Sequence, residues 1–250
     1  MVVNSFAAAP RAQVAGVLGG LGPLATAEFL SLVVALTDAE TDQDHLDLIV
    51  SQHSSTPDRT AYLLGLSPDD PGPVLSADAR MLEKAGADFL VLPCNTAHAM
   101  VKEIRAATSL DVVDILEATV AEVTRRSRRP TRVGLLATDG TRSIGLYQKE
   151  LSIPGHEPVL PDAADQAALM DLIYRQVKGG EADNYAVLTE VISHLEDRGA
   201  EYFLLGCTEL RIPAAAIGII DAPHIVDSSQ SLAAATVMRG GKRLKSHQGW

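Results

Sequence analysis

The chain of 250 residues contains only two cysteines, Cys94 and Cys207, and they stand in similar surroundings. The apolar run FLVLP precedes Cys94, and the apolar run YFLLG precedes Cys207. Each cysteine comes eight residues after a glycine, Gly86 or Gly199, that begins a Gly-Ala pair. A short apolar run bounded by a turn predicts a buried strand. The two thiols are therefore expected at equivalent strand ends, where they can face one shared site.

Two thiols at one site permit several kinds of chemistry. A disulfide would be redox-sensing in a reducing compartment, and the chain lacks the close cysteine pair of a thiol oxidoreductase. Zinc takes about four ligands, and no second close pair of Cys or His accompanies either cysteine. Covalent catalysis by one thiol leaves the other without a role.

Proton transfer at opposite faces of one carbon uses both thiols. One thiolate removes an α-proton and the other thiol delivers a proton to the opposite face. A single base would return the proton to the face from which it came. The ordinary thiol pKa of about 8.5 keeps both protonation states reachable near neutral pH. The pair therefore favours inversion at an acidic carbon.

Composition limits the class of partner. The chain is 46% hydrophobic and 21% charged, with a formal net charge of −11, which argues against nucleic acid or an anionic membrane. We find no apolar run long enough to span a bilayer, and residues 1–11 lack the apolar centre of a secretory signal. Two widely spaced cysteines suit reduced thiols in the cytoplasm. A small molecule is the expected partner.

Alternating strand and helix patterns predict an α/β fold with parallel sheets. The first strand, 13–19, runs into the glycine-rich Gly19–Pro23, which either binds an anion or only forms a tight turn. A polar segment, 52–60, follows the second strand at the end where α/β proteins bind ligands. Its Arg59 either clamps a carboxylate or pairs with Asp58 at the surface. Apolar spacing predicts helices at 24–39, 97–108, 164–178 and 185–197.

The second half of the chain resembles the first. The stretch AGVLGGLG at 15–22 lies 118 positions before VGLLATDG at 133–140, and the two cysteines lie 113 positions apart. Two pairs of similar segments, separated by nearly the same number of residues, predict two similar halves whose strand ends face each other. The predicted domains are residues 1–115 together with 225–250, which carry Cys94, and residues 116–224, which carry Cys207.

The chain ends are expected to behave differently from the core. The last strand, 224–227, and the last helix, 229–239, are predicted to return to the first half. Residues 1–12 are predicted to be a loose extension, and the basic tail 240–250 is predicted to be frayed.

Five motifs, spread in order over most of the chain, carry a family resemblance. They are GVLGGLGPLAT at 16–26, PDRT at 57–60, LPCNTAH at 92–98, GLLATDGT at 134–141 and LLGCTEL at 204–210. Together they resemble the cofactor-independent aspartate/glutamate racemase family, and in particular its aspartate racemase branch. The resemblance implies two pseudo-symmetric three-layer α/β domains with parallel sheets and the active site in the cleft between them. It also implies a homodimer that racemises an amino acid without pyridoxal phosphate, metal or other cofactor.

The same resemblance implies roles for individual residues. Cys94 and Cys207 match the two catalytic acid/base cysteines. The α-carboxylate would be held by the residues beside them, which are Asn95, Thr96 and Thr208. Arg59 matches the arginine that binds the distal carboxylate of an acidic substrate, and Lys178 is placed by its spacing as a second cation for that group. The loop residues Leu21 and Gly22 would lie against the substrate.

Four further residues have both a functional and a structural interpretation. Each either assists the reaction or serves only as a hydrogen-bonding partner or helix cap, and they are His98, Glu209, Thr138 and Thr141. None of the four is included among the predicted catalytic residues.

Substrate identity is the open question. Residues 52–56 (QHSST) depart from the apolar segment that precedes PDRT in relatives, and they would line the side-chain pocket. Aspartate or glutamate is the predicted substrate, with aspartate first. One alternative is a cis-trans isomerase of a dicarboxylate such as maleate. Another is a non-catalytic ligand-binding or thiol redox-sensing protein.

Overall fold

A computed structural model describes residues 13–181 and 185–246, and these residues form two four-stranded parallel sheets. The first sheet has the order 2-1-3-4 and contains β1 (Val14–Gly19), β2 (Asp47–Gln52), β3 (Phe89–Val91) and β4 (Val112–Val113). The second has the order 6-5-7-8 and contains β5 (Arg132–Leu136), β6 (Glu157–Val159), β7 (Tyr202–Leu205) and β8 (Ile225–Asp227). The predicted α/β fold with two similar parallel sheets is confirmed.

Helices connect the strands. The first group is α1 (Pro23–Leu36), α2 (Arg59–Leu63), α3 (Gly72–Lys84), α4 (Val101–Ala107) and α5 (Ile115–Ser127). The second group is α6 (Asp139–Ser143), α7 (Leu146–Ser152), α8 (Ala163–Asp171), α9 (Ala186–Asp197), α10 (Arg211–Ala216) and α11 (Ser228–Arg239). Short 3-10 segments occupy Asp42–Asp44, Thr96–Met100 and Thr208–Leu210, and a π-helix occupies Leu172–Lys178. No helix among the described residues is long and apolar enough to cross a membrane.

Because side chains point alternately to the two faces of each sheet, each half of the protein has three layers. Successive strand side chains point to opposite faces, so Val17 and Leu18 of β1 enter two different buried cores. The core that contains Val17 also contains Leu135 of β5, and α1, α5 and α11 all contribute to it. The outer faces of the two sheets pack against separate helices, as Leu18 does in the first half and Phe203 in the second. A shared central core therefore holds the halves together.

Polar residues at strand ends start several of the helices. Asp58, Asp114, Asp162 and Asp227 cap α2, α5, α8 and α11 by accepting hydrogen bonds from backbone N–H groups of the first turn. Such caps satisfy donors that have no partner within the helix. α1 instead begins with Gly22 at the cap and Pro23 in the first turn, an arrangement that suits a glycine-rich turn.

The last strand does not return to the first half, and this part of the domain prediction is wrong. β8 pairs in parallel with β7, with Phe203 opposite Ile225 and Leu204 opposite Val226. β8 therefore completes the second sheet in the position that β4 has in the first. Only α11 returns, because it packs against α1 and α5 in the central core.

The described part of the basic tail is also ordered. Asp38 N–H donates to Arg243 O at 2.8 Å and Lys245 N–H donates to Leu36 O at 2.9 Å, so residues 243–245 bind the end of α1. The prediction of a frayed tail is wrong for these residues, since backbone hydrogen bonds fix them. The predicted N-terminal extension, 1–12, and the last residues of the tail, 247–250, lie outside the described residues.

Candidate active site

The candidate site lies where the strand order of each sheet reverses. β1 connects to β2 on one side, while β3 lies on its other side, and β5 is flanked in the same way by β6 and β7. Loops that leave neighbouring strands in opposite directions open a crevice at the carboxyl ends of these strands. Both cysteines follow the third strand of their sheet. The two crevices meet because α2 packs against α6 across the cleft.

One cavity at this junction is lined by both thiols. Eight of the nine predicted site residues line it, and these are Leu21, Arg59, Cys94, Asn95, Thr96, Lys178, Cys207 and Thr208. The ninth, Gly22, lines a larger chamber just outside. The inner cavity has a volume of only about 10 Å³, roughly what one water molecule needs. Further inner-cavity residues are Asp58, Thr60, Thr138, Tyr174 and Glu209.

Cys207 is a buried thiol that donates a hydrogen bond to a carboxylate. Its Sγ lies 3.1 Å from Glu209 Oε2, which also accepts from Thr208 Oγ1 at 3.1 Å. Burial raises the pKa of Cys207 well above its ordinary value, the charge of Glu209 raises it further, and Lys178 opposes both. Glu209 Oε1 makes no hydrogen bond but lies 3.5 Å from Lys178 Nζ. Burial and the neighbouring carboxylate therefore both favour the protonated thiol of Cys207.

Cys94 has a cation beside it instead of a carboxylate. Arg59 is 6% exposed and lines the same cavity as Cys94, close enough for the two charges to interact. Arg59 Nη2 donates to Leu21 O at 2.5 Å and Nη1 donates to Pro57 O at 3.0 Å, while Nε is buried without a partner. Burial lowers the pKa of Arg59, but Cys94 and Asp58 raise it more. Arg59 is thus a buried cation of the site and not a surface residue.

Asn95 is held in one orientation by two residues from distant parts of the chain. Tyr147 Oη donates to Asn95 Oδ1 at 2.5 Å, and Asn95 Nδ2 donates to Ser228 Oγ at 3.0 Å. Asn95, Tyr147 and Ser228 are all buried. These two hydrogen bonds fix the orientation of the amide, and the second hydrogen of Nδ2 is left as a donor beside the cavity.

Three threonine hydroxyls join the halves behind the cysteines. Thr96 Oγ1 lies 2.9 Å from Thr138 Oγ1 and 3.0 Å from Thr141 Oγ1. Thr138 also caps α6 by accepting from Thr141 N–H, which confirms the structural interpretation, and of the two only Thr138 lines the cavity. Gly140 packs so closely that an added Cβ would lie 2.9 Å from Thr60 Cα. Glycine is needed here because two backbones meet across the cleft.

His98 is structural. Its Nδ1 donates to Cys94 O at 2.9 Å and its Nε2 accepts from Ile115 N–H at 3.2 Å, which requires the neutral ring. Burial lowers the pKa of His98, and this effect outweighs the opposing charge of Asp114. The ring therefore anchors the Cys94 loop to the start of α5.

We expect acid to weaken the fold through His98. Its pKa is lowered in the folded state, so the folded protein binds fewer protons than the unfolded chain below the ordinary histidine pKa of about 6.5. Stability should be fully present above that pH and should decline as the pH falls from 6.5 towards 5. His98→Asn should cost about 1–3 kcal/mol at pH 7.5, because Ile115 N–H loses its acceptor. It should also flatten the pH dependence of the free energy of unfolding, measured with urea.

The matched control is His224→Asn, since His224 is exposed. The control should keep the wild-type pH dependence. A second buried histidine, His156, also has a pKa lowered by burial and should sustain the dependence that remains in His98→Asn. An unchanged pH dependence in His98→Asn would contradict this assignment.

Tyr174 and Lys178 reach the cavity from the π-helix. Tyr174 Oη donates to the Asp58 carboxylate at 3.2 Å, and Lys178 Nζ lies 4.7 Å from the centre of the Tyr174 ring. Burial is the main cause that raises the pKa of Tyr174 to about 12. The charge of Glu209 raises the pKa of Lys178 against the effect of burial, so Lys178 stays cationic. π-Helical turns often occur at functional sites.

Sequence reasoning missed some of these residues. Nothing in the motifs points to Tyr147, which meets Asn95 across a separation of 52 residues. Tyr174 could have been identified from the sequence, because it precedes Lys178 by four residues and a helical spacing places both side chains on one side of the helix. No cluster of three or more His, Cys, Asp or Glu side chains that could hold a metal occurs within 13–181 and 185–246.

Comparisons with known proteins extend over nearly the whole chain. The family model described as Asp/Glu/Hydantoin racemase matches residues 18–236. The broad specificity amino-acid racemase RacX of Bacillus subtilis is 29% identical over 226 residues, which cover 89% of this chain and 96% of that protein. The structure of Picrophilus torridus aspartate racemase aligns with a TM-score of 0.79 at 29% identity and covers 93% of this chain and 96% of that one.

A more distant structure shares the fold alone. The glutamate racemase of Francisella tularensis, solved with D-glutamate, is 18% identical and aligns with a TM-score of 0.64 over 94% of this chain and 85% of that one. Fold and site together define a two-sheet α/β protein with a thiol from each half in its cleft. The chain belongs to the Asp/Glu/hydantoin racemase family, which confirms the resemblance seen in its motifs.

Proposed function

We propose that this protein is an amino-acid racemase that moves the α-proton between its two thiols. The observation that carries the proposal is that Cys94 and Cys207, from equivalent strand ends of the two halves, line one cavity. A reaction that needs one group on each face of a carbon requires this arrangement. Family membership and the similarity to RacX and to the aspartate racemase support the same conclusion.

The surroundings of the thiols suggest how a cycle begins. Cys94, with the Arg59 cation beside it, acts as the thiolate that removes the α-proton, and the Cα–H electron pair moves into the α-carboxylate. Backbone N–H groups next to the cysteines, with Thr96 and Thr208, stabilise the charge that develops there. Cys207 then gives its thiol proton to the opposite face of Cα and becomes the thiolate. The next turnover can run in reverse on the other enantiomer, so no cofactor is consumed.

We propose an acidic amino acid, aspartate first, as the substrate. Arg59 Nε is a buried donor without a partner in the described structure, and Lys178 is a second cation that lines the same cavity. Leaving such a donor unsatisfied is costly, so a substrate carboxylate would be a suitable partner. Glu209 Oε1, which lacks a hydrogen bond, is available to the α-ammonium group.

Exchange of the α-proton in D₂O tests this function. The purified protein, without added cofactor, is mixed with L- or D-aspartate and with other amino acids in turn. Proton NMR follows loss of the α-proton signal, and chiral chromatography follows the enantiomer. Appearance of deuterated product of the opposite configuration supports the proposal. If no amino acid exchanges, the racemase proposal fails, and parallel samples with maleate then test for fumarate formation.

The pH dependence should identify Cys207 as the donor that Glu209 keeps protonated. The neutral amide in Glu209→Gln removes a charge that raises the pKa of Cys207. The pKa of the thiol should therefore fall. For the enantiomer towards which Cys207 is the acid, the alkaline limb of kcat/KM should move to lower pH. Glu196→Gln, at an exposed position in α9, is the control and should leave the profile in place. A Glu209→Gln profile that shifts to higher pH would contradict the assignment.

Other parts of the sequence interpretation stay predictions. These are the domain limits apart from β8, the homodimer, the cytoplasmic location and the roles of individual site residues. Sedimentation or light scattering of the purified protein would measure the oligomeric state directly.

A further inference from the structure

A second chamber adjoins the catalytic cavity. Its volume is about 480 Å³, whereas the cavity between the thiols has only about 10 Å³. Four residues line both spaces and form the mouth between them, and these are Asp58, Arg59, Lys178 and Glu209. We call the larger space the outer chamber. Whatever reaches the thiols from the outer chamber must pass this mouth.

The charges of the mouth are balanced, and the outer chamber beyond it differs in chemistry. The mouth carries two cations and two carboxylates. Beyond the mouth, none of the described residues that line the outer chamber is charged. Its walls include Pro23, Leu24 and Ala25 of α1, together with Val177, Ser54 and Thr56. Such walls suit uncharged atoms, with two hydroxyls for an occasional hydrogen bond.

Size decides where a long side chain can go. The inner cavity has room for about one water molecule, so the reacting groups of a substrate must already widen it, and it cannot also hold a side chain of several atoms. An aspartate carboxylate is short enough to stay at the cations of the mouth. A longer side chain attached to the same Cα must extend through the mouth into the outer chamber.

We propose that the outer chamber is a side-chain subsite, and that the protein accepts amino acids with long uncharged side chains, such as methionine and glutamine, as well as acidic ones. This inference rests on the racemase function proposed above and names a wider class of substrate for the same site. Burial of the end of the side chain against α1 provides the affinity for these substrates.

The test compares substrates in proteins whose outer chamber is filled. Leu24→Trp and Ser54→Trp each add bulk, from α1 and from the loop after β2, and both positions are exposed. Neither residue belongs to the proposed catalytic groups. Rates of α-proton exchange in D₂O are measured for aspartate, glutamine and methionine. Leu66→Trp is the control, because Leu66 is 77% exposed and lines neither the inner cavity nor the outer chamber.

The wild-type protein and the control should exchange all three amino acids. At least one filled variant should lose about 10-fold or more in kcat/KM for methionine and glutamine, while aspartate stays within about 2-fold. Exchange of aspartate without methionine or glutamine in the wild type would overturn the inference and leave the racemase proposal intact. Equal losses on all three substrates, or no loss in either variant, would also overturn it.

A binding measurement separates the two proposals if no amino acid exchanges. Calorimetry then measures the Kd of L-methionine for the wild-type protein and for each filled variant. A Kd raised about 10-fold by Leu24→Trp or Ser54→Trp, but not by Leu66→Trp, would keep the subsite although the racemase proposal fails. Absence of methionine binding to the wild type would overturn the subsite as well.

Discussion

Replacing either Cys94 or Cys207 with alanine should reduce racemisation by about 1,000-fold or more, because a two-sided proton transfer loses one of its two groups. The overall fold should survive, since each substitution removes only one sulfur atom at a buried position. Chiral chromatography after incubation with each pure enantiomer measures the rate. Thermal unfolding confirms that each variant is folded.

The two cysteine variants also serve as controls for each other. In Cys207→Ala, Cys94 can still remove and return a proton on its own face, so one enantiomer should exchange in D₂O with retention of configuration. Cys94→Ala should show the same behaviour with the other enantiomer. Substantial inversion by either single variant would contradict the two-thiol mechanism, because a one-sided base cannot invert the centre.

Arg59→Lys should lower kcat/KM for aspartate by about 100-fold, even though the positive charge is kept. The guanidinium donates to Leu21 O, Thr56 O and Pro57 O in the cavity that it shares with Cys94, and a lysine ammonium cannot make these planar contacts together. Hydrogen bonds of charged groups contribute roughly 1.5–3 kcal/mol each, and 2.7 kcal/mol corresponds to about 100-fold. Steady-state kinetics on both enantiomers of aspartate measures the loss.

Arg129→Lys is the matched control. Arg129 pairs with Glu201 at an exposed surface, where the exchange of one cation for another should leave kcat/KM within about 2-fold. The loss in Arg59→Lys should appear in both KM and kcat, because the proposed mechanism places Arg59 beside the thiol that takes the α-proton and has it donate to the substrate. An Arg59→Lys protein with wild-type kinetics would remove Arg59 from the site.

The sequence alone allows two roles for Glu209, one structural and one functional. Glu209 follows Thr208 at the start of a short helix, where an acidic residue is favourable in any case. The same position in the sequence therefore fits a structural and a functional role. The functional role proposed for Glu209 rests on its contact of 3.1 Å with Cys207 Sγ, which depends on how the turn after β7 is folded.

The two errors in the fold prediction have a common origin. β8 and the tail 243–245 are both short segments. The partner of β8 is β7, the preceding strand, and the partner of the tail is the end of α1, near the other end of the chain. Local apolar pattern identified β8 as a strand but carried no information about which sheet it joins. The tail is basic and polar by pattern, and only its backbone hydrogen bonds to α1 fix its position.

The sequence by itself determined the α/β class, the two similar halves and the positions of both thiols at strand ends. These follow from local apolar periodicity and from motifs whose spacing is preserved along one chain. Only the tertiary structure decided that Arg59 is buried in the cavity of Cys94 and that Tyr147 and Ser228 orient Asn95. It also decided that an outer chamber, uncharged beyond its mouth, adjoins the site. Asn95 and Ser228 are 133 residues apart. Contacts at that separation arise from the packing of the two sheets around one core, which no local pattern encodes.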